Sequence, residues 1–256
     1  MSASMMDHRP NAFPARGEMQ PRGSEAAEGR GVFVTGTDTG VGKTRVAAAL
    51  LCALAGAGWR VVGMKPVAAG FEPGTHINAD VVELQRAGNV DAPDADRNPY
   101  AFADPVAPHL AASAAGQSIE LSRIVAAFER LRTRADVVVV EGAGGALVPL
   151  DARADMLDVA AALRLPVLLV VAMRLGCLNH ALLSALAIER RGLALRGWVA
   201  NHLPPTMALA TANVDTLALR LGMRPLAIVE AGATPMFGDD ALTSLGFAPG
   251  RACEPC

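Results

Sequence analysis

The chain contains only two lysines, Lys43 and Lys65, against 21 arginines. An ammonium is a compact point charge on a thin stem, whereas a guanidinium is a wide planar fork. A chain that writes nearly every cation as arginine yet keeps lysine at two places reflects either codon bias or two positions that need a point charge, and where the two fall decides. Lys43 lies in the run Gly36-Thr-Asp-Thr-Gly-Val-Gly-Lys-Thr44, which follows an apolar β-like segment and opens a helical pattern. In that setting backbone N–H groups and a helix N-terminus converge on phosphate oxygens. Lys43 would then reach the β- and γ-phosphates, and the Thr44 hydroxyl would ligate Mg²⁺. The strict pattern places glycine five residues before the Gly-Lys pair; here that position is Thr37, with Gly36 one step earlier, so the loop is a variant.

Lys65 lies in Gly63-Met-Lys-Pro-Val-Ala-Ala-Gly70, at the carboxyl end of a second apolar run that Pro66 terminates. Ligands of open α/β sheets bind beyond the carboxyl ends of the strands, which places Lys65 on the same rim as the loop. A surface lysine capping a strand is the plainer alternative. Asp136-Val-Val-Val-Val-Glu141-Gly-Ala-Gly-Gly145 repeats the arrangement with a carboxylate, and its glycines let backbone approach a nucleotide. Mg²⁺ on a nucleotide is held by one or two carboxylates together with phosphates and water. Glu141 and Asp80 are the candidates, although Asp80 also suits a helix N-cap.

These groups need a scaffold. From Gly31 onward, short apolar runs alternate with longer helical stretches. The strand candidates are Val32–Thr35, Arg60–Met64, Val137–Val140, Val167–Val171, Gly197–Ala200 and Leu226–Val229, and the clearest helical patterns are Thr44–Ala55, Ile119–Arg132 and His180–Arg191. Runs apolar on both faces fit a sheet covered on two sides. The fold class expected is α/β: a doubly wound, mostly parallel sheet in a single P-loop NTPase-like domain over residues 31–232. Residues 1–30 are expected to form a disordered extension and residues 233–256 a poorly structured tail with little beyond a short helix. Asn89 to Pro108, with four prolines, reads as a long loop.

Composition excludes several classes. A net charge of −2 leaves no basic stripe for nucleic acid. The longest apolar run, Leu165 to Met173, is about half of what a membrane span needs. Cysteines at 52, 177, 253 and 256 form neither a disulfide framework nor a paired zinc motif, although Cys253 and Cys256 are spaced for chelation. The first residues lack a signal-peptide core, so a cytoplasmic location is expected.

From Gly31 to about Pro225 the chain resembles the dethiobiotin synthetases, ATP-dependent carboxylases of biotin biosynthesis. The resemblance rests on six ordered segments: Thr35–Thr44, Lys65–Gly70, Asn98–His109, Val140–Gly145, Leu175–His180 and Gly197–Asn201. It implies carboxylation and ring closure of 7,8-diaminopelargonate with CO₂, driven by ATP with Mg²⁺. It also implies a homodimer whose substrate site is shared between subunits. By the same resemblance Lys43 and Lys65 are catalytic, and Thr44, Asp80 and Glu141 hold the metal. The nucleotide lies against Gly40, Val41, Gly42, Lys43, Thr44 and Arg45, against Asp80, against Glu141, Gly142, Ala143 and Gly144, and against Asn201 and His202. The diamine lies against Thr39, Ala69 and Asn179. Asn179 is also read as the N-cap of its helix. Gly40 stands where many members carry an acidic residue, and Ala69 replaces a frequent polar one. The Ile-Pro or Leu-Pro pair of the late nucleotide loop has no clear counterpart at Ile228–Ala231.

The nearest alternative is a nucleotide switch of the partitioning and Min type, which shares the fold. Those ATPases carry a second lysine five residues before the invariant one, and here that position is Asp38. A related amidotransferase synthase would need a glutaminase domain, and too few residues follow Gly232 to supply one.

Overall fold

Val-rich stretches buried on both faces become strands because β-branched side chains pack well on a pleated surface covered from two sides. The computed structural model describes residues 31–72 and 74–247; the expected N-terminal extension and the Cys253/Cys256 pair lie outside them. In chain order the elements are β1 (Gly31–Gly36), α1 (Lys43–Gly56), β2 (Val61–Met64), β3 (Val67–Ala69), α2 (Ala79–Ala87), α3 (Asp94–Arg97) and β4 (Tyr100–Phe102). Then follow α4 (Pro108–Ala114), α5 (Leu121–Arg132), β5 (Val137–Gly145), α6 (Met156–Leu163), β6 (Val167–Met173) and α7 (Cys177–Arg190). The chain continues through β7 (Leu195–His202), α8 (Ala210–Leu221), β8 (Ala227–Val229) and α9 (Asp239–Ser244).

Six strands form one sheet in the order β2-β5-β1-β6-β7-β8, each neighbouring pair parallel. The chain winds to one edge through β2 and to the other through β6, β7 and β8, so the direction reverses around β1. Such a switch point opens a crevice at the carboxyl ends of the strands. Alternation along each strand feeds two cores. Val32, Val34, Val139, Leu168 and Val170 face α1, whereas Phe33, Val138 and Val140 face α5 and α6. Leu169, Val171 and Trp198 extend the second face under α7 and α8.

Three expectations change. The presumed loop from Asn89 to Pro108 contains α3 and β4, and β4 pairs in parallel with β3 as a second, two-stranded sheet. Pro66 does end β2, but it also starts the turn into β3. Second, the helix after Arg174 begins at Cys177 with Gly176 as its cap, so Asn179 is not the N-cap and sits exposed in the first turn. Third, the packed domain runs past residue 232. Leu242, Leu245 and Phe247 are buried in the α1-side core, and the Phe247 ring meets Trp59 edge-on at 6.3 Å.

Candidate active site

The rim at the carboxyl ends of β1, β2 and β5 gathers the groups that the sequence marked as reactive. β1 ends at Gly36 and α1 begins at Lys43, so the loop between them delivers the start of α1 to the crevice. Gly42 caps α1 at φ 90° without any side-chain cap bond. A Cβ there would lie 2.4 Å from Asn201 Nδ2, so the position requires glycine on both counts. The first N–H groups of α1 are left without a side-chain cap, which suits an anion. By contrast, α2 is capped by Asn78, whose side chain accepts from Val81 N. Asp80 is therefore not the cap. It lies in the first turn of α2 and turns to Lys65 instead.

Lys65 connects the cluster. Its Nζ donates to Glu141 Oε1 at 2.8 Å and to Asp80 Oδ2. The Thr44 hydroxyl donates to the same Glu141 oxygen at 2.9 Å. Lys43, 6% exposed, turns its Nζ back onto the carbonyl of Asp38 at 3.0 Å. Four elements distant in sequence thus bring two ammoniums, two carboxylates and a hydroxyl together.

Burial dominates the acid–base behaviour. Desolvation lowers the Lys43 pKa to about 8, although Glu141 pulls the other way. Desolvation also opposes the Lys65 ammonium, but Glu141 and Asp80 more than offset it and hold that pKa above the ordinary lysine value. At Asp80 burial is likewise outweighed, chiefly by Lys65, and its carboxyl is held below the usual range. Glu141 is pushed upward by burial, with Lys65 resisting. Its Oε2 is buried and has no hydrogen-bond partner. A buried carboxylate oxygen left unpaired beside a threonine hydroxyl and a second carboxylate is a donor set suited to a hard cation such as Mg²⁺, which needs few protein ligands.

The other predicted residues fall into two groups. Thr39 lines a cavity of about 370 Å³ together with Thr37, Val148, His180 and Ser184. Gly144, at φ 63°, brings the strand end against Thr39: a Cβ there would come within 3.3 Å of the Thr39 hydroxyl. Gly40 is exposed, Val41 is buried beneath the loop, Gly142 packs on Phe33, and Ala143 N donates to Met156 Sδ. Ala69 lies half-buried in β3. Asn201 is buried and its Nδ2 donates to Val41 O at 2.8 Å, so it braces the phosphate-binding loop. His202, also buried, lines a different cavity of about 360 Å³ with Thr206, Asp215 and Glu230. Arg45 donates to Ala233 O at 2.6 Å, tying α1 to the chain beyond the carboxyl end of β8.

One pair escaped the sequence reading. The Asp38 carboxylate accepts from Thr39 N at 2.7 Å and pairs with Arg174 at 2.5 Å, joining the loop to the segment between β6 and α7. In the sequence, Asp38 stands out only as the position where the Min-type loop has lysine. Its partner lies 136 residues away, and no local signal announces it.

Comparison with known proteins decides the family. Residues 30–234 match the family described as an AAA domain. The ATP-dependent dethiobiotin synthetase BioD of Aromatoleum aromaticum is 51% identical over 213 residues, covering 81% of this chain and 94% of that protein. The protein of the same name from Nitrosospira multiformis is 53% identical over 201 residues, covering 78% and 88%. The chain belongs to the dethiobiotin synthetase family. Among solved structures, the septum site-determining protein MinD complexed with Mg-ADP from Pyrococcus horikoshii aligns with a TM-score of 0.50 over 78% of this chain and 81% of that one. At 15% identity that likeness shows a shared P-loop NTPase-like fold and nothing finer. A dethiobiotin synthetase is an ATP-dependent ligase of biotin biosynthesis, and the loop, the paired lysines and the carboxylates of this chain occupy the rim where nucleotide chemistry is expected in such a fold.

Proposed function

We propose that this protein makes dethiobiotin from 7,8-diaminopelargonate, CO₂ and ATP at the rim formed by β1, β2 and β5. One amine, in its neutral form, bonds to the carbon of CO₂ and releases a proton, giving a carbamate. A carbamate oxygen then attacks the γ-phosphorus of ATP, and ADP leaves. The second amine attacks the carbon of the resulting carbamoyl phosphate, the ureido ring closes, and phosphate departs with the amine proton released. Little covalent work falls to the protein, so catalysis comes from positioning and charge neutralisation.

The observation that carries this reading is the convergence of Lys43, Lys65, Thr44, Asp80 and Glu141. Lys43 leaves the Asp38 carbonyl to meet the β- and γ-phosphates, while Lys65 neutralises the carbamate and the transferring phosphoryl group. Preorganised charges of this kind are each worth about a hundredfold or more in rate. Thr44, Asp80 and Glu141 would hold Mg²⁺, which supplies charge neutralisation to the phosphates. Gly40 to Thr44 and Glu141 to Gly144 line the nucleotide, and its base extends past Asn201 toward His202. The diamine lies in the cavity beside Thr39, near Ala69.

Two exposed leucines line that cavity: Leu147 and Leu183 are each 56% exposed. Apolar side chains grouped around a substrate cavity suit burial by a second copy of this chain. Diaminopelargonate carries its carboxylate roughly 10 Å from the amines when extended. The start of α7, at Gly176 to Asn179, offers N–H groups for that carboxylate across a twofold dimer. Among the described residues no helix is long and apolar enough to cross a membrane.

The direct test is incubation of the protein with diaminopelargonate, bicarbonate, Mg²⁺ and ATP, followed by mass detection of dethiobiotin. Product that requires both ATP and diamine is the expected result. ATP hydrolysis indifferent to the diamine would instead favour a nucleotide switch.

A further inference from the structure

The Asn98-Pro-Tyr100 run takes no part in the chemistry above, yet it lies directly behind Lys65. β2 ends at Met64 and β3 begins at Val67, so Lys65 stands where the chain leaves one sheet for another. The following residue, Pro66, has no N–H to offer. The peptide groups of Lys65 are held from the side instead. Lys65 N donates to Arg97 O at 2.8 Å, and Lys65 O accepts from Asn98 Nδ2 at 2.6 Å. The same Nδ2 donates to Tyr100 O at 2.9 Å, and Tyr100 N returns to Pro66 O at 3.1 Å. A primary amide has two N–H donors, and here each has its own carbonyl.

This clasp is itself anchored. Asp96, buried in α3, accepts from Arg130 Nε of α5 at 2.8 Å, and buried Arg97 donates to Val90 O at 2.9 Å. Lys65 is therefore gripped at both ends. Its ammonium meets Glu141 and Asp80, and its peptide meets Arg97 and Asn98. The apolar packing of this corner rests on other side chains, chiefly Tyr100 and Phe102, both buried.

We infer that Asn98 is a positioning residue that acts through Lys65, fixing the peptide from which the ammonium is aimed at the transferring phosphoryl group. The inference rests on the role proposed above for Lys65. A displacement of about an ångström in a reacting constellation costs about a hundredfold in rate. Asn98→Ala should therefore lower kcat by about tenfold to a hundredfold and leave the KM for ATP within about threefold of wild type.

A double-mutant cycle with Lys65→Arg separates this role from general support of the fold. If Asn98 acts by aiming the Lys65 ammonium, Asn98→Ala should cost less than about threefold in kcat once that ammonium has been replaced. An equal factor in both backgrounds would overturn the inference, as would a kcat for Asn98→Ala within about twofold of wild type. Should Asn98→Ala not fold, Asn98→Ser serves in its place, because it keeps one short donor and should show a smaller loss of the same kind. Full-length wild type run alongside separates the two claims. Failure of the wild type to form dethiobiotin refutes the activity, whereas an active wild type with an equally active Asn98→Ala refutes only the role of Asn98.

Discussion

Lys43→Met should stabilise the ligand-free protein at neutral pH while abolishing its activity. Lys43 is almost fully buried, and desolvation lowers its pKa to about 8. Against an ordinary lysine value of about 10.4, that gap corresponds to about 3 kcal/mol spent on keeping a charged ammonium in the site at pH 7. Methionine fills similar space without charge. It forfeits the bond from Nζ to Asp38 O, a charge-assisted contact worth about 2 kcal/mol, so the net gain at pH 7 is about 1 kcal/mol. For a domain of this size the melting temperature should rise by about 2 to 4 °C. The pH dependence is the stronger test. Between pH 8 and the ordinary lysine value the unfolded chain binds a proton that the folded chain has lost, so wild-type stability rises with pH through this group. The variant lacks the effect, so the stability difference should move by about 2 kcal/mol against it between pH 7 and pH 9.5, from an advantage of about 1 kcal/mol to a deficit of about 1 kcal/mol. Urea unfolding of both proteins across that range isolates the contribution, because groups remote from Lys43 cancel in the difference. A stability difference that is flat with pH, or that grows, would refute the argument. ATP should raise the melting temperature of wild type but not of the variant.

Lys65→Arg conserves charge but places a wide guanidinium between Glu141 and Asp80, where Lys65 is 6% exposed; kcat should fall by about tenfold or more while folding survives, and a rate within about twofold of wild type removes Lys65 from the mechanism. Asp80→Asn and Glu141→Gln should each raise the Mg²⁺ concentration needed for half-maximal rate by about tenfold, with little change in the KM for the diamine; an unchanged Mg²⁺ titration would take that carboxylate out of the proposed metal site. Mixing inactive Lys43→Ala with Asn179→Ala should restore activity if the site is shared across a dimer, since one site in each heterodimer then carries neither lesion. No recovery after verified subunit exchange would leave each subunit with a complete site of its own.

The reactive cluster was legible because each of its members sits in a short local pattern at a strand end. Lys43 and Thr44 come with their glycines, Lys65 with Pro66, and Glu141 with the four valines before it. Continuous apolar runs likewise revealed the sheet, since five of its six members are buried runs of four residues or more. β3 and β4 escaped because three-residue strands are too short to express a period. The buried ends of the tail escaped for a different reason. Leu242, Leu245 and Phe247 stand among glycines and small residues, and only tertiary packing turns them inward. Asp80 was ambiguous because capping and pairing use the same carboxylate. Asn78, two residues earlier, takes the capping role and frees it. The bond from Asn201 to Val41 spans 160 residues and has no local signature at all.

The likeness to MinD shows how little of the chemistry resides in the fold. Both chains wind a similar sheet, yet the side chains on the rim decide which reaction is possible. At the position where the partitioning and Min-type loop carries its second lysine, this chain has Asp38, whose carboxylate pairs with Arg174 and accepts from Thr39 N. An anion at that position cannot neutralise phosphate on a facing subunit. The second ammonium comes instead from Lys65, at the end of β2 within the same subunit, where Glu141 and Asp80 hold it. Moving that cation from the loop to a strand end changes what it can neutralise. A cavity opens at Thr39, where we propose that the second substrate lies. In the function proposed above, the ammonium of Lys65 would instead neutralise a carbamate that the nucleotide must meet.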